Sequence, residues 1–282
     1  MKIDVILSPK DLPAPARRDL RGAVCVVFDV LRATSTMVTA LHHGARAIVP
    51  VAEIAEALAI RRQQPDILLG GERDGVRIRS AQTGDVDFDL GNSPREYTAA
   101  VVRDKTIVST TTNGTRALRA CAGAQTVLAA SFLNLSATAS WLRQVQPTEV
   151  MLVCAGTREN VATEDVLAAG ALVEMLLRSL VANQAQAGTS RCDVPAQARM
   201  GGSRAARTAQ RAVPTLSRAA QTALNAWRKG KANLLEAVSA AENARRLLAL
   251  PELRDDVAFC LQQDIFGLVA ALGRDGAIRI SV

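Results

Sequence analysis

Histidine is nearly absent from this 282-residue chain: there are two, the neighbours His42 and His43, so a Ser-His-Asp triad or an imidazole-rich metal centre has almost no material. Cysteine is scarce and scattered. The five thiols, Cys25, Cys121, Cys154, Cys192 and Cys260, contain no Cys-x-x-Cys pair, which argues against a structural zinc site or a disulfide framework. Aromatic residues make up 3% of the chain, few stacking platforms for nucleic acid. No apolar run approaches the roughly 18 residues that a membrane-spanning helix needs. The opening MKIDVILSPKDLPAP holds no signal-type apolar region, so a cytoplasmic protein is expected. Chemistry must then rest on carboxylates, hydroxyls, arginines and backbone.

What is abundant is apolar surface, 49% of residues, enough to bury a large core. The net charge of +7 suggests nucleic acid until it is located. Residues 183–213 hold five arginines against one aspartate, so +4 of the +7 lies in one Ala/Gly/Gln/Arg-rich stretch. That composition offers little to bury and is expected to be a flexible insertion or loose helical linker, with nucleic-acid binding as its sharper alternative.

Up to residue 180, short β-rich runs (3–7, 23–28, 47–51, 67–69, 106–109, 126–130 and 150–154) alternate with helix-period segments (35–43, 53–63, 93–102, 114–120, 134–144 and 164–180). This alternation predicts an α/β fold, a largely parallel or mixed sheet flanked by helices. The spacing divides the chain into a catalytic core over 1–180, the basic insertion, and a mostly helical part over 214–282 that packs on the core. Within that last part, 256–261 and 277–282 read as strands.

In open α/β sheets ligands collect outside the carboxyl ends of the strands, and four exits here are unusually polar. After the second strand come Asp29, Arg32, Thr34, Ser35 and Thr36; after the fourth, Glu72 within Gly-Gly-Glu-Arg. The fifth opens into Thr111, Thr112, Asn113, Gly114 and Thr115. The next ends at Cys154 and Gly156, with Glu164 and Asp165 opening the following helix. The Thr-Asn-Gly loop suits an anion, ringed by backbone N–H groups and hydroxyls. Three carboxylates at strand mouths, Asp29, Glu72 and Asp165, suit Mg2+ shared with a substrate phosphate. Rival signatures fail: Cys154 and Arg158 lack the Cys-x5-Arg spacing, Asp29 starts no Asp-x-Asp pair, and Walker and Gly-x-Gly-x-x-Gly loops are absent.

DVLRATST (29–36), GGER (70–73), DLGNSPREY (89–97), TTTNGTRAL (110–118) and CAG with a following ED (154–156, 164–165), in this order, resemble the 2-phosphosulfolactate phosphatase family of coenzyme M biosynthesis; AENARRLL and DDVAFCLQQD match more loosely. The resemblance implies an Mg2+-dependent phosphatase for the phosphate ester of a small anionic hydroxy acid. It implies Asp29, Arg32, Glu72 and Asp165 as the catalytic set, with Asn92, Ser93, Cys154 and Gly156 joining the hydroxyl loops at the substrate. A nucleotide- or sugar-phosphate-binding protein without phosphatase activity is the alternative. The expected partner is a small phosphorylated substrate, not a membrane or nucleic acid, and a homodimer is left open.

Overall fold

The structure, a computed structural model, describes residues 1–11, 20–188 and 214–281. Its strands are β1 (Lys2–Ile6), β2 (Ala23–Phe28), β3 (Ala47–Pro50), β4 (Leu68–Arg73), β5 (Val76–Arg77), β6 (Thr106–Thr110), β7 (Thr126–Ala130), β8 (Glu149–Cys154), β9 (Thr215–Leu216), β10 (Ala270–Leu272) and β11 (Ile278–Ile280). The helices are α1 (Ala33–His42), α2 (Ile54–Gln63), α3 (Ser80–Thr83), α4 (Ala99–Val102), α5 (Gly114–Ala120), α6 (Leu135–Val145), α7 (Thr163–Gly188), α8 (Arg218–Gly230), α9 (Leu234–Ser239), α10 (Glu242–Leu248) and α11 (Arg254–Cys260). All strands belong to one mixed sheet in the order β5-β4-β6-β3-β11-β10-β7-β2-β8-β1-β9. Two parallel blocks, β4-β6-β3 and β7-β2-β8-β1-β9, are joined by the antiparallel hairpin β10-β11.

Strand β2 shows why this sequence folds so. All six residues of AVCVVF are buried, as expected of a strand covered on both faces. Val24, Val26 and Phe28 join the core beneath α6 to α11, while Cys25 and Val27 join the core beneath α1 and α5, the period-2 division of a strand. The C-terminal helices are part of the first core through Trp227, Val238, Leu247 and Val257. Helices α7 and α8 approach closely because Gly170 has no Cβ; one would collide with the Ala223 carbonyl.

Several expected elements come out differently. Residues 93–102 form a 3-10 turn (Pro94–Glu96) followed by the short α4, because the Ser93 hydroxyl does not cap a helix but donates to Asp256 at 2.7 Å. The strand expected at 256–261 is helix α11, whose first turn carries Asp255 and Asp256 against the positive helix end. Strand β4 runs on to Arg73, so Glu72 stands inside a strand and not in the loop after it. Of the expected insertion, residues 183–188 complete α7, and 189–213 lie outside the described residues. No helix among the described residues is long and apolar enough to cross a membrane.

Candidate active site

Five ladder steps separate β6 from β2, about 24 Å in a flat sheet at roughly 4.8 Å per step. The loop from Thr110 to Gly114 spans at most about 14 Å fully extended. Yet a Cβ on Gly114 would stand 2.6 Å from both the Ala33 Cβ and the Asp29 Oδ2. The sheet therefore coils, and its coiling brings the exits of β2 and β6 together.

Asp29 follows β2 and is 7% exposed. Its Oδ1 accepts the Ala33 N–H at 3.1 Å. Burial pushes its carboxyl up to about 7, with the negative charges of Glu72 and Glu164 adding to the rise; the N–H groups of Ala33 and Gly114 oppose it. The neighbouring hydroxyls build the loop. Thr34 bonds both the N–H and the carbonyl of Asp29, Ser35 donates to the Val30 carbonyl and Thr36 to the Asn92 carbonyl. The Leu31–Arg32 peptide bond is cis.

Glu72 faces Asp29 from β4. Its Oε1 accepts the Thr112 N–H at 2.8 Å and the Thr112 hydroxyl at 2.9 Å, and its Oε2 accepts the Gly75 N–H at 2.7 Å. Thr111 and Thr115 brace the loop reciprocally through backbone and hydroxyl bonds. The Thr-rich loop thus commits Thr112 to a carboxylate, while Asn113, which makes no helix-capping bond, lines the cavity beside it.

Asp165 and Glu164 open α7 and divide the labour. Asp165 Oδ1 accepts the Val30 N–H at 2.8 Å and Oδ2 the Gly156 N–H at 3.0 Å, which ties the β2 exit to the β8 exit. Burial raises its carboxyl well above the usual range, helped by the charges of Glu164 and Asp29. Glu164 is 1% exposed; its Oε1 accepts from Asn243 Nδ2 at 3.2 Å and its Oε2 has no hydrogen-bond partner. Its carboxyl is raised by burial, against which Asn243 and Arg246 act. Cys154 is fully buried in the core, its thiol pushed up by burial and by Asp165 and Glu164.

Arg32 is a buried cation with fixed partners. Its Nη1 meets Asp256 Oδ2 at 2.7 Å and its Nη2 donates to the Gly75 carbonyl. The side chains of the pair are 2% and 0% exposed, and Ser93 supplies Asp256 with a further bond. Arg32 stands in the wall between two cavities. One, about 30 Å³, is lined by Asp29, Glu72, Asn113, Arg158, Asn243 and Arg246 among others. The other, about 560 Å³, is lined by Arg32 again with Asn92, Ser93 and three more arginines.

The structure therefore brings Asp29, Arg32, Glu72, Thr112 and Asn113 to one cavity and places Asn92 and Ser93 at its neighbour. Thr34, Ser35, Thr36, Thr111, Gly114, Thr115, Cys154, Gly156 and Asp165 line neither cavity. Sequence reasoning noted Glu164 beside Asp165 but gave it no role, and it missed Asn243, Arg246 and Asp256. All three lie in α10 and α11, within stretches noted only as loose resemblance.

Among the described residues no group of three His, Cys, Asp or Glu side chains forms a ready ligand set for a metal. The donors nevertheless fit a hard divalent cation. Asp29 and Glu72 are carboxylates in one cavity, burial and then the like charge of Glu72 raise Asp29, and Glu164 holds a buried oxygen without a hydrogen-bond partner. Asp165 is the least available, since a backbone N–H already occupies each of its oxygens.

A family model described as 2-phosphosulpholactate phosphatase matches residues 7–274. The chain belongs to the 2-phosphosulfolactate phosphatase family. The family consists of phosphoric monoester hydrolases. A Thermotoga maritima relative, named a probable 2-phosphosulfolactate phosphatase, is 34% identical over 270 residues, 96% of this chain and 95% of the relative. Relatives of the same name in Pseudothermotoga lettingae and Caldicellulosiruptor saccharolyticus are 48% identical over 171 residues and 40% over 164. Those matches cover 61% and 57% of this chain, and 67% and 65% of the relatives, so the chain spans about two thirds of their length.

Proposed function

We propose that this protein is an Mg2+-dependent phosphatase that hydrolyses the phosphate monoester of a small anionic hydroxy acid, 2-phosphosulfolactate being the leading substrate. One observation carries the reading. The charges of Glu72 and Glu164 act against that of the buried Asp29, and Arg246, which lines the same small cavity as Asp29 and Glu72, has a buried Nε without a hydrogen-bond partner. Such a site has room for a cation at its carboxylates and an anion at its guanidinium, and a metal-bound phosphate ester supplies both.

In this reading Asp29 and Glu72 hold the ion, with the free Glu164 oxygen behind them; when bound, Mg2+ supplies neutralising charge for phosphoryl oxygens. Arg246 pairs with the phosphoryl oxygens, and its Nη2 bond to Asn243 at 2.9 Å fixes its direction. Asn243 in turn bonds Thr157 at 2.7 Å, so the anion-binding wall is rigid before substrate arrives. Asn113 donates to the same phosphate. Asp165 is a positioning residue that keeps the Asp29 loop in place. Positioning and charge neutralisation carry most of the rate in phosphoryl transfer.

The test is phosphate release from a panel of phosphorylated hydroxy acids, with Mg2+ and with excess chelator. Release that requires Mg2+ and favours 2-phosphosulfolactate supports the reading. Full activity in chelator removes the metal from it, and tight binding of phosphate esters without release favours the binding-protein alternative.

A further inference from the structure

One buried glycine faces three charged side chains of the candidate site. Gly75 is the second residue of the two-residue turn that joins β4 to β5, where Arg73 pairs with Val76 and Glu72 with Arg77. Asp74 and Gly75 both have positive φ, 53° and 83°, the backbone of a type I′ turn, which an Asp-Gly pair favours.

Each side of Gly75 meets a different charge. Its N–H donates to Glu72 Oε2 at 2.7 Å, and its carbonyl accepts from Arg32 Nη2. The third side is bare. A Cβ there would stand 3.2 Å from Arg246 Nε and 3.4 Å from Arg246 Cζ, closer than the roughly 3.5–4.0 Å of an optimal contact. That Nε is buried without a hydrogen-bond partner, while the Nη2 bond to Asn243 opposes any step aside. A side chain at position 75 would therefore keep both backbone bonds and still push the guanidinium by a few tenths of an ångström.

We infer that Gly75 is a positioning residue for Arg246. The turn fixes Glu72 and Arg32 through its backbone, and the missing side chain lets Arg246 close on the same point. One residue thus sets the separation between a carboxylate and a guanidinium that line the same small cavity. The inference rests on the phosphatase reading for the phosphate at Arg246.

Calorimetric titration with inorganic phosphate at fixed Mg2+ reads anion binding without turnover. Gly75→Ala is compared with Gly84→Ala, a control for backbone strain: Gly84 is exposed, also has positive φ, 72°, and has nothing within 4 Å of a Cβ. Both variants should lose thermal stability, but only Gly75→Ala should bind phosphate more weakly, by tenfold or more. Gly75→Asn carries the same Cβ on a residue that tolerates the left-handed backbone, and repeats the test should the alanine variant not fold. In kinetics, Gly75→Ala should lower kcat/KM for 2-phosphosulfolactate tenfold or more in the parent and less than about twofold in Arg246→Ala, where no guanidinium is left to displace. Unchanged phosphate affinity in the folded Gly75 variant, an equal loss in Gly84→Ala, the same kinetic loss with and without Arg246, or no phosphate binding by the parent would overturn the proposal. A parent that binds phosphate in this pattern yet releases it from no ester would sink the phosphatase reading and leave the role of Gly75 standing.

Discussion

Replacing Asp256 by asparagine keeps the side-chain shape and removes one charge, at a point where the surroundings cannot compensate. Arg32 and Asp256 are 2% and 0% exposed and meet at 2.7 Å, so Asp256→Asn leaves a buried guanidinium without its counter-ion. Breaking a buried pair from one side costs about 3–5 kcal/mol. With roughly 2.1 cal/mol/K of unfolding entropy per residue, 282 residues carry about 0.6 kcal/mol/K, so the expected fall in Tm is about 5–8 °C. Differential scanning calorimetry at neutral pH reads it directly. The double replacement Arg32→Met with Asp256→Leu should recover most of that loss, since apolar side chains of similar volume need no counter-ion. It should not recover phosphatase activity, because Arg32 also ties the wall between the two cavities to the Gly75 carbonyl. A single variant whose Tm stays within about 1 °C of the parent would refute the claim that this pair anchors α11 to the site.

Gly114→Ala would drive a Cβ to 2.6 Å from Asp29 Oδ2 and the Ala33 Cβ; a stability loss of about 1–3 kcal/mol by denaturant titration is expected, with turnover falling at least a hundredfold. Because the folded-state pKa of Asp29 is raised to about 7, the native protein keeps a proton that the unfolded chain has released, so metal-free stability should fall as pH rises from about 4 to 7. Asp29→Asn should flatten the slope, and an unchanged slope would remove Asp29 as its source. Asp165→Asn presents an amide to two backbone N–H groups that each need an acceptor, so a loss of about 1–3 kcal/mol is expected. Glu164→Gln, which removes the unpartnered carboxylate oxygen, should weaken Mg2+ binding in a calorimetric titration without lowering metal-free Tm.

Much of this molecule is legible in the order of its residues because its strands are short apolar runs with polar exits. The run at 23–28 matches β2, and 114–120 matches α5. The α/β class follows from that alternation, and the Asp29 position follows from where its run stops, whereas Glu72 stands inside β4, which continues past the apolar run to Arg73. What the sequence hides is long-range. Asp256 reaches Arg32 across 224 positions and draws Ser93 away from its capping role, so both 93–102 and 256–261 mislead when judged by local pattern. Glu164 and Asp165 are adjacent, and only the turn of α7 decides which one spends both oxygens on backbone. Arg246 and Asn243 enter from a helix, α10, where no strand exit points to them. The hydroxyls of Thr34, Ser35 and Thr36 look like anion ligands in sequence and serve as loop braces in the fold, the common local use of such side chains.

The central claim is that one small cavity, lined by the carboxylates of Asp29 and Glu72 and by Arg246, hydrolyses a phosphate ester with Mg2+. Its most direct test is kcat/KM for 2-phosphosulfolactate at saturating Mg2+ in the parent, Asp29→Asn and Arg246→Met, each shown to be folded by its thermal transition. The account predicts a loss of about a thousandfold for the first variant and about a hundredfold for the second, amounts in keeping with the loss of preorganised charge at a phosphoryl group. Either folded variant working at more than about a tenth of the parent's rate would contradict it.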